Sequence, residues 1–185
     1  LNMGTIIGAY LRQYGFNLDF APVADVNSNP DNTVIGKRAF SSDAETVRIM
    51  SHAMADGLAK QGVIPTFKHF PGHGDTAEDS HDGIAVCYKT KEEMQNCEWI
   101  PYKELTATKC VMVGHIALPN IIGDMTPSSL SYEAVSGILK GELNFGGVVI
   151  TDSLSMGAVT NTYTPGDAAI KAVEAGCDIL LCPYD

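Results

Sequence analysis

At 185 residues and 45% apolar, the chain is long enough to bury a core and sits in the ordinary range of one folded domain, which excludes disordered and fibrous classes. Its 12 basic and 22 acidic residues give a net charge of −10, so a nucleic-acid backbone or an anionic membrane surface would be repelled, and a neutral small molecule is the better partner. No apolar run of about 18 residues occurs, which excludes a membrane-spanning helix.

Residues 3–14 (MGTIIGAYLRQY) carry helical spacing closed by Gly15, and 18–26 (LDFAPVADV) read as a buried strand. Asp43 is placed to cap a helix whose apolar positions Val47, Met50, Met54 and Leu58 recur at helical spacing; Gly62 stops it and a strand follows over 63–70. Residues 91–107 predict a helical stretch interrupted at Pro101, leading to a strand over 110–116. Ser131 opens a helix that leads to GVVITD at 147–152, and a last helix over 164–176 runs into CDILLCP at 177–183.

Five short strands, apolar throughout rather than alternating, are separated by helices, the pattern of parallel strands covered on both faces. The fold class is therefore α/β. No G-x-G-x-x-G or Walker turn stands where a strand meets a helix, which argues against a doubly wound sheet. The polar residues instead gather at the C-terminal strand ends: Asp25 after the first strand, Lys68 and His69 after the second, His115 after the third and Asp152 after the fourth. That is where a (β/α)₈ barrel keeps its chemistry. About five of eight units are present, so the expectation is a single truncated, partial TIM-type barrel domain over 1–185, a fragment of a longer chain lacking the first strands and at least the last βα unit. Open strand edges would favour self-association.

Residues 68–81, KHFPGHGDTAEDSH, hold three of the five histidines, and Pro71, Gly72 and Gly74 rule out a regular helix. His69, His73 and His81 lack the helical H-E-x-x-H spacing or neighbouring cysteines of a zinc site, so no metal is expected. Asp75, Glu78 and Asp79 would repel a phosphate. Proton transfer remains: Asp79 can accept from one nitrogen of His81 and raise the basicity of the other. Downstream, a buried apolar strand ends in Asp152, a carboxylate at the rim that can serve either as nucleophile or as a turn cap. The five cysteines form no C-x-x-C pair; scattered free thiols favour a reducing, cytoplasmic compartment, with secretion left open.

KHFPGHGDTAEDSH, with FAPVADVNSNP (20–30), IGKRAF (35–40) and ITDSLSMGA (150–158), closely resembles glycoside hydrolase family 3, in its β-N-acetylhexosaminidase branch. The resemblance runs in order across nearly the whole chain. It implies a TIM-type barrel and hydrolysis of terminal β-linked N-acetylglucosamine with retention, in turnover of peptidoglycan fragments, without metal or organic cofactor. Carried over by position, it implies Asp152 as nucleophile, His81 as acid/base with Asp79 as its partner, Lys68 and His69 as the pair that hydrogen-bonds the sugar hydroxyls, and Arg38 as a substrate contact. His115 and Met156 are expected to line the pocket, His73 to brace the loop and His52 to be structural. Ser153 stands where many relatives carry Asp, and the family's further sugar-gripping aspartate would precede Leu1. Two other readings stay open: a phosphorylase of the same fold, because a histidine acid/base places no second anion beside incoming phosphate, and a stable but inactive fragment.

Overall fold

A computed structural model describes residues 2–76 and 83–183. Helix α1 (Asn2–Gln13) ends where Gly15 takes φ +86°, and it lies against α2 (Ala44–Lys60). The two helices approach closely because Gly4 and Gly8 face the contact; a Cβ at Gly4 would strike the main-chain carbonyl of Met54. Asp43 caps α2 as its sequence position predicts, accepting from the Thr46 N–H at 2.8 Å. The buried stripe of α2 departs from the expected one. Val47 and Leu58 are buried, but the stripe between them runs through Ser51 and Ala55, and Met50 points outward at 47% exposure. Small residues on this face let the helix sit close to the sheet, which is the contact that decides the stripe.

The main sheet is parallel throughout, in the order β1 (Leu18–Asp19), β2 (Ile64–Phe70), β4 (Cys110–Val113), β6 (Val148–Thr151). Sequential strands lie side by side with helices between them, as in a segment of a TIM-type barrel. The first predicted strand is hydrogen-bonded along a longer path than β1 itself. Thr66 N donates to Ala21 O, Lys68 N to Pro22 O and Ala24 N to Lys68 O, and Val23 bridges Lys68; Pro22, which has no N–H, interrupts the regular ladder. The predicted strand over 177–183 likewise runs beside β6, with a parallel bridge between Ile150 and Ile179 and a bond from Leu154 N to Leu181 O at 2.9 Å. The peptide bonds Ala21–Pro22, Lys68–His69 and Phe70–Pro71 are cis.

A two-stranded parallel pair, β3 (Ala85–Val86) with β5 (Ile116–Ala117), is an addition that the sequence pattern did not reveal. The expected helix over 91–107 is shorter: α3 (Lys91–Asn96) starts in a capping box of Thr90 and Glu93, and a 3₁₀ turn follows at Ile100–Tyr102. The break lets Trp99 and Tyr102 turn inward; both are fully buried, with Tyr102 edge-on to Phe70 at 5.3 Å between ring centres. A short α4 (Pro119–Ile122) precedes the segment Glu133–Glu142, which winds as a π-helix with Leu143 N bonded to Ile138 O at 2.9 Å. After β6 come α5 (Gly157–Thr160) and α6 (Pro165–Ala175), the latter capped by Thr164 and closed by Gly176 at φ +106°. The core lies between sheet and helices, where Phe67, Phe70, Val111, Val113, Ile138 and Leu139 are all buried.

Candidate active site

At the C-terminal ends of the strands is a cavity of about 220 Å³. Arg38, Lys68, His69, Asp152 and Met156 all line it, although they are drawn from the stretch after the first strand, the end of β2 and the turn after β6. His73 lines it too, with Phe20, Val34 and Ile35 as apolar wall.

Asp152 stands one residue beyond β6. Its N–H donates to Val113 O at 2.8 Å, so the ladder continues through it and fixes its backbone, while its Oδ1 accepts from the Ser153 N–H at 2.7 Å. One carboxylate oxygen is thus held by the turn. Among the described residues the other accepts no hydrogen bond, leaving a half-buried carboxylate with one oxygen unengaged at the cavity. The capping and nucleophile uses of Asp152 are compatible in this geometry, one oxygen for each.

Lys68 and His69 end β2. Burial holds the Lys68 ammonium below its usual range, and the neighbouring Arg38 charge pushes the same way, against the attraction of Asp152, Asp19 and Asp25. Arg38 is an exposed residue of a 3₁₀ turn at Gly36–Arg38 and donates to Val34 O at 3.3 Å.

Asp25, to which the sequence reading gave a place at the rim but no role, braces the site from behind. It is fully buried and receives three donors: the His73 N–H at 2.7 Å, the His69 N–H at 3.2 Å and the His69 ring through Nδ1 at 2.8 Å. Burial drives its carboxyl pKa up, but the His69 ring, by charge and by hydrogen bond, and the His73 N–H outweigh that and hold it below the usual range. Since a carboxylate only accepts, His69 carries its proton on Nδ1, which leaves Nε2 for the cavity. The signal in the sequence was a carboxylate near the C-terminal end of a mostly apolar strand.

His73 is held on several sides. Its carbonyl accepts from Asn32 Nδ2 at 2.7 Å and from the Thr76 hydroxyl at 3.0 Å, and its Nδ1 lies 2.7 Å from that same hydroxyl. The glycines flanking it are required by close approach: a Cβ at Gly72 would lie 2.7 Å from Glu98 Cβ, and one at Gly74 would strike the Val26 carbonyl.

His115 corrects the sequence reading. Expected to line the pocket, it is fully buried and does not border the cavity, because both ring nitrogens are taken by its own surroundings: Nε2 lies 2.8 Å from Ser153 O and Nδ1 2.7 Å from Ser129 Oγ. Burial pushes its pKa down. A neutral ring donating from Nε2 and accepting at Nδ1 satisfies both contacts and anchors the peptide that follows Asp152. His52 sits on α2 with Nε2 3.0 Å from Pro101 O. The expected dyad of Asp79 and His81 lies outside the described residues. Among the described residues, no three His, Cys, Asp or Glu side chains are grouped so as to hold a metal ion, and no helix is long and apolar enough to cross a membrane.

A parallel barrel segment with cationic and carboxylate side chains meeting at its C-terminal rim defines the class: a domain of the (β/α)-barrel type. Over residues 1–185 the chain matches the family model described as "Glycosyl hydrolase family 3 N terminal domain", and it belongs to that family. Beta-hexosaminidase LpqI of Mycobacterium bovis (strain BCG / Pasteur 1173P2) is 41% identical over 181 residues, covering 94% of this chain and 46% of that protein. The solved structure of a glycoside hydrolase family 3 beta-N-acetylglucosaminidase from Paenibacillus sp. str. FPU-7 superposes with a TM-score of 0.94 at 41% identity, over 97% of this chain and 34% of that one. Beta-glucoside phosphorylase BglX superposes with a TM-score of 0.93 at 28% identity, over 99% of this chain and 35% of that one. The chain spans roughly a third to a half of the length of the curated relatives it matches.

Proposed function

We propose that the protein is a retaining β-N-acetylhexosaminidase that removes terminal β-linked N-acetylglucosamine, with fragments of peptidoglycan as its natural substrates. The observation that carries this reading is the meeting of Asp152, Lys68, His69 and Arg38 at one cavity in a family 3 chain. In the first step the unengaged oxygen of Asp152 bonds to the anomeric carbon while the glycosidic C–O bond breaks and His81, oriented by Asp79, gives its proton to the departing oxygen. In the second, water attacks the same carbon, His81 takes the proton from that water, and the ester to Asp152 breaks to restore the carboxylate. Lys68 and Arg38 supply donors to the sugar hydroxyls, and His69 Nε2, unprotonated in the tautomer that Asp25 selects, accepts from one of them. No cofactor enters either step. In the full-length protein, Asp152→Ala is expected to lower release of a chromophore from an aryl N-acetyl-β-glucosaminide by more than about a thousandfold; unchanged turnover would overturn the reading.

A phosphorylase is the second reading, favoured by two cations, Arg38 and Lys68, beside one carboxylate at the cavity and by the likeness to a β-glucoside phosphorylase. Product analysis with and without phosphate separates the two: a sugar 1-phosphate marks the phosphorylase, free N-acetylglucosamine the hydrolase.

A further inference from the structure

Asp25 and His69 form one unit behind the cavity wall. Ala24 N donates to Lys68 O at 2.6 Å, which sets Asp25 opposite His69. The two oxygens of the Asp25 carboxylate divide the donors between them. Oδ1 accepts from the His73 N–H at 2.7 Å and from the His69 N–H at 3.2 Å, while Oδ2 faces the His69 ring, 2.8 Å from Nδ1, and shares the His69 N–H at 3.3 Å. The ring has little room to turn. A Cβ on Gly114 would lie 3.2 Å from His69 Cβ, and the His73 ring meets the His69 ring edge-on at 6.0 Å between centres. Among the described residues Nε2 of His69 has no hydrogen-bond partner, and the residue borders the cavity together with Arg38 and Lys68. Those two cations can only donate. A hydroxyl that accepts from one of them still has a proton of its own to place, and the Nε2 lone pair can take it.

We infer that Asp25 is a specificity-determining residue: by holding the His69 proton on Nδ1 it fixes the direction of one hydrogen bond to the sugar, so that the group bound at Nε2 must be a hydroxyl that donates, and a substituent that only accepts is rejected. This rests on the reading of the cavity as a sugar site. Asp25 acts through His69 without touching the sugar. The discrimination comes from a bond left unmade: facing a fluorine, Nε2 meets another lone pair and stays unsatisfied in a largely buried wall. Asparagine at position 25 reverses the direction at nearly constant shape. Its Oδ1 is kept by the two backbone N–H groups, so its Nδ2 faces the ring and donates to Nδ1, and the ring proton moves to Nε2.

The test compares kcat/KM of the full-length protein on an aryl N-acetyl-β-glucosaminide with that on its 3-, 4- and 6-deoxyfluoro analogues. Fluorine also slows glycosyl transfer by withdrawing electrons, but that effect belongs to the substrate and cancels when the hydroxyl-to-fluorine ratio is compared between proteins. At one of the three positions the ratio is expected to fall about tenfold or more in Asp25→Asn relative to the wild-type protein, and to stay within about twofold at the other two. A ratio unchanged at all three, or lowered alike at all three, would overturn the inference. His69→Ala run alongside separates the causes. If it lowers the ratio at one position and Asp25→Asn does not, the inference alone fails; if it lowers the ratio at none, or if the wild-type protein turns over no such glycoside, the reading of the cavity has failed and takes the inference with it. Nitrogen-15 NMR of the histidine rings adds a readout that needs no turnover. The signals that His69→Gln removes are expected to show a protonated Nδ1 and a bare Nε2 in the wild-type protein and the reverse in Asp25→Asn. A proton on Nε2 in the wild-type protein would overturn the inference even where the variant does not fold.

Discussion

Asp25 has no contact with solvent yet stays a carboxylate, because two backbone N–H groups and one ring nitrogen point at it. The consequence reaches two residues away from its own backbone: it selects the His69 tautomer and it fixes the first turn of the loop at His73. His115 does the converse at the neighbouring strand, remaining a neutral ring because burial disfavours its charge. Its folded-state pKa lies below the ordinary value near 6.5, so above about pH 6.5 the ring is neutral in both states and folding carries no titration cost. As pH falls below that value the unfolded chain takes up a proton that the folded one resists, and stability declines. His52, lowered by burial in the same direction, adds to the decline. The melting temperature is therefore expected to fall as the pH is lowered from about 6.5 towards 5, and the fall to be smaller in His115→Gln, which keeps a donor for Ser153 O; identical profiles would show that His115 does not carry the effect.

Among the elements, the contact between α1 and α2 is the clearest case of a pattern hidden inside a correct helix. Residues 3–14 were legible as a helix, but the reason for Gly4 and Gly8 four residues apart emerges only from their burial against α2. Alanine would ordinarily favour a helix over glycine by about 1 kcal/mol. At Gly4 the added methyl meets a main-chain carbonyl that cannot rotate away, whereas at Gly8 it meets the Gln61 side chain first. Overpacking of the former kind costs about 1–3 kcal/mol, enough to reverse the propensity gain. Gly4→Ala is thus expected to lower the urea midpoint and Gly8→Ala to lower it less; equal midpoints would mean that α1 shifts to absorb either methyl. The same logic explains the shortened helix at α3, where the interruption at Pro101 was readable but the inward turn of Trp99 and Tyr102 depended on core space beside Phe70 of β2.

For the whole molecule, the outer side of α1 is apolar: Met3, Ile6, Tyr10 and Tyr14 recur along it and are all more than half exposed, with Phe16 beyond. Such a patch rarely stays in water. The 185-residue chain expressed by itself is expected to self-associate, and a clean monomer by light scattering across a concentration series would contradict this. Much of this architecture was open to sequence reading because parallel strands buried on both faces leave apolar runs with no alternation, helices leave a 3.6-residue period, and polar residues at strand ends such as Lys68, His69 and Asp152 break those runs where chemistry belongs. Those signals are local, and the sequence by itself determined the α/β class, the strand order and most of the rim residues. Tertiary structure alone decided the contacts behind them: it sealed His115 into the core, gave Asp25 its hold on His69 and joined Lys89 to Glu98 and Asp75. The physical reason is that a hydrogen bond or an ion pair depends on distances of about 3 Å between residues tens of positions apart, and only the closed packing of strand on strand and helix on sheet sets such distances.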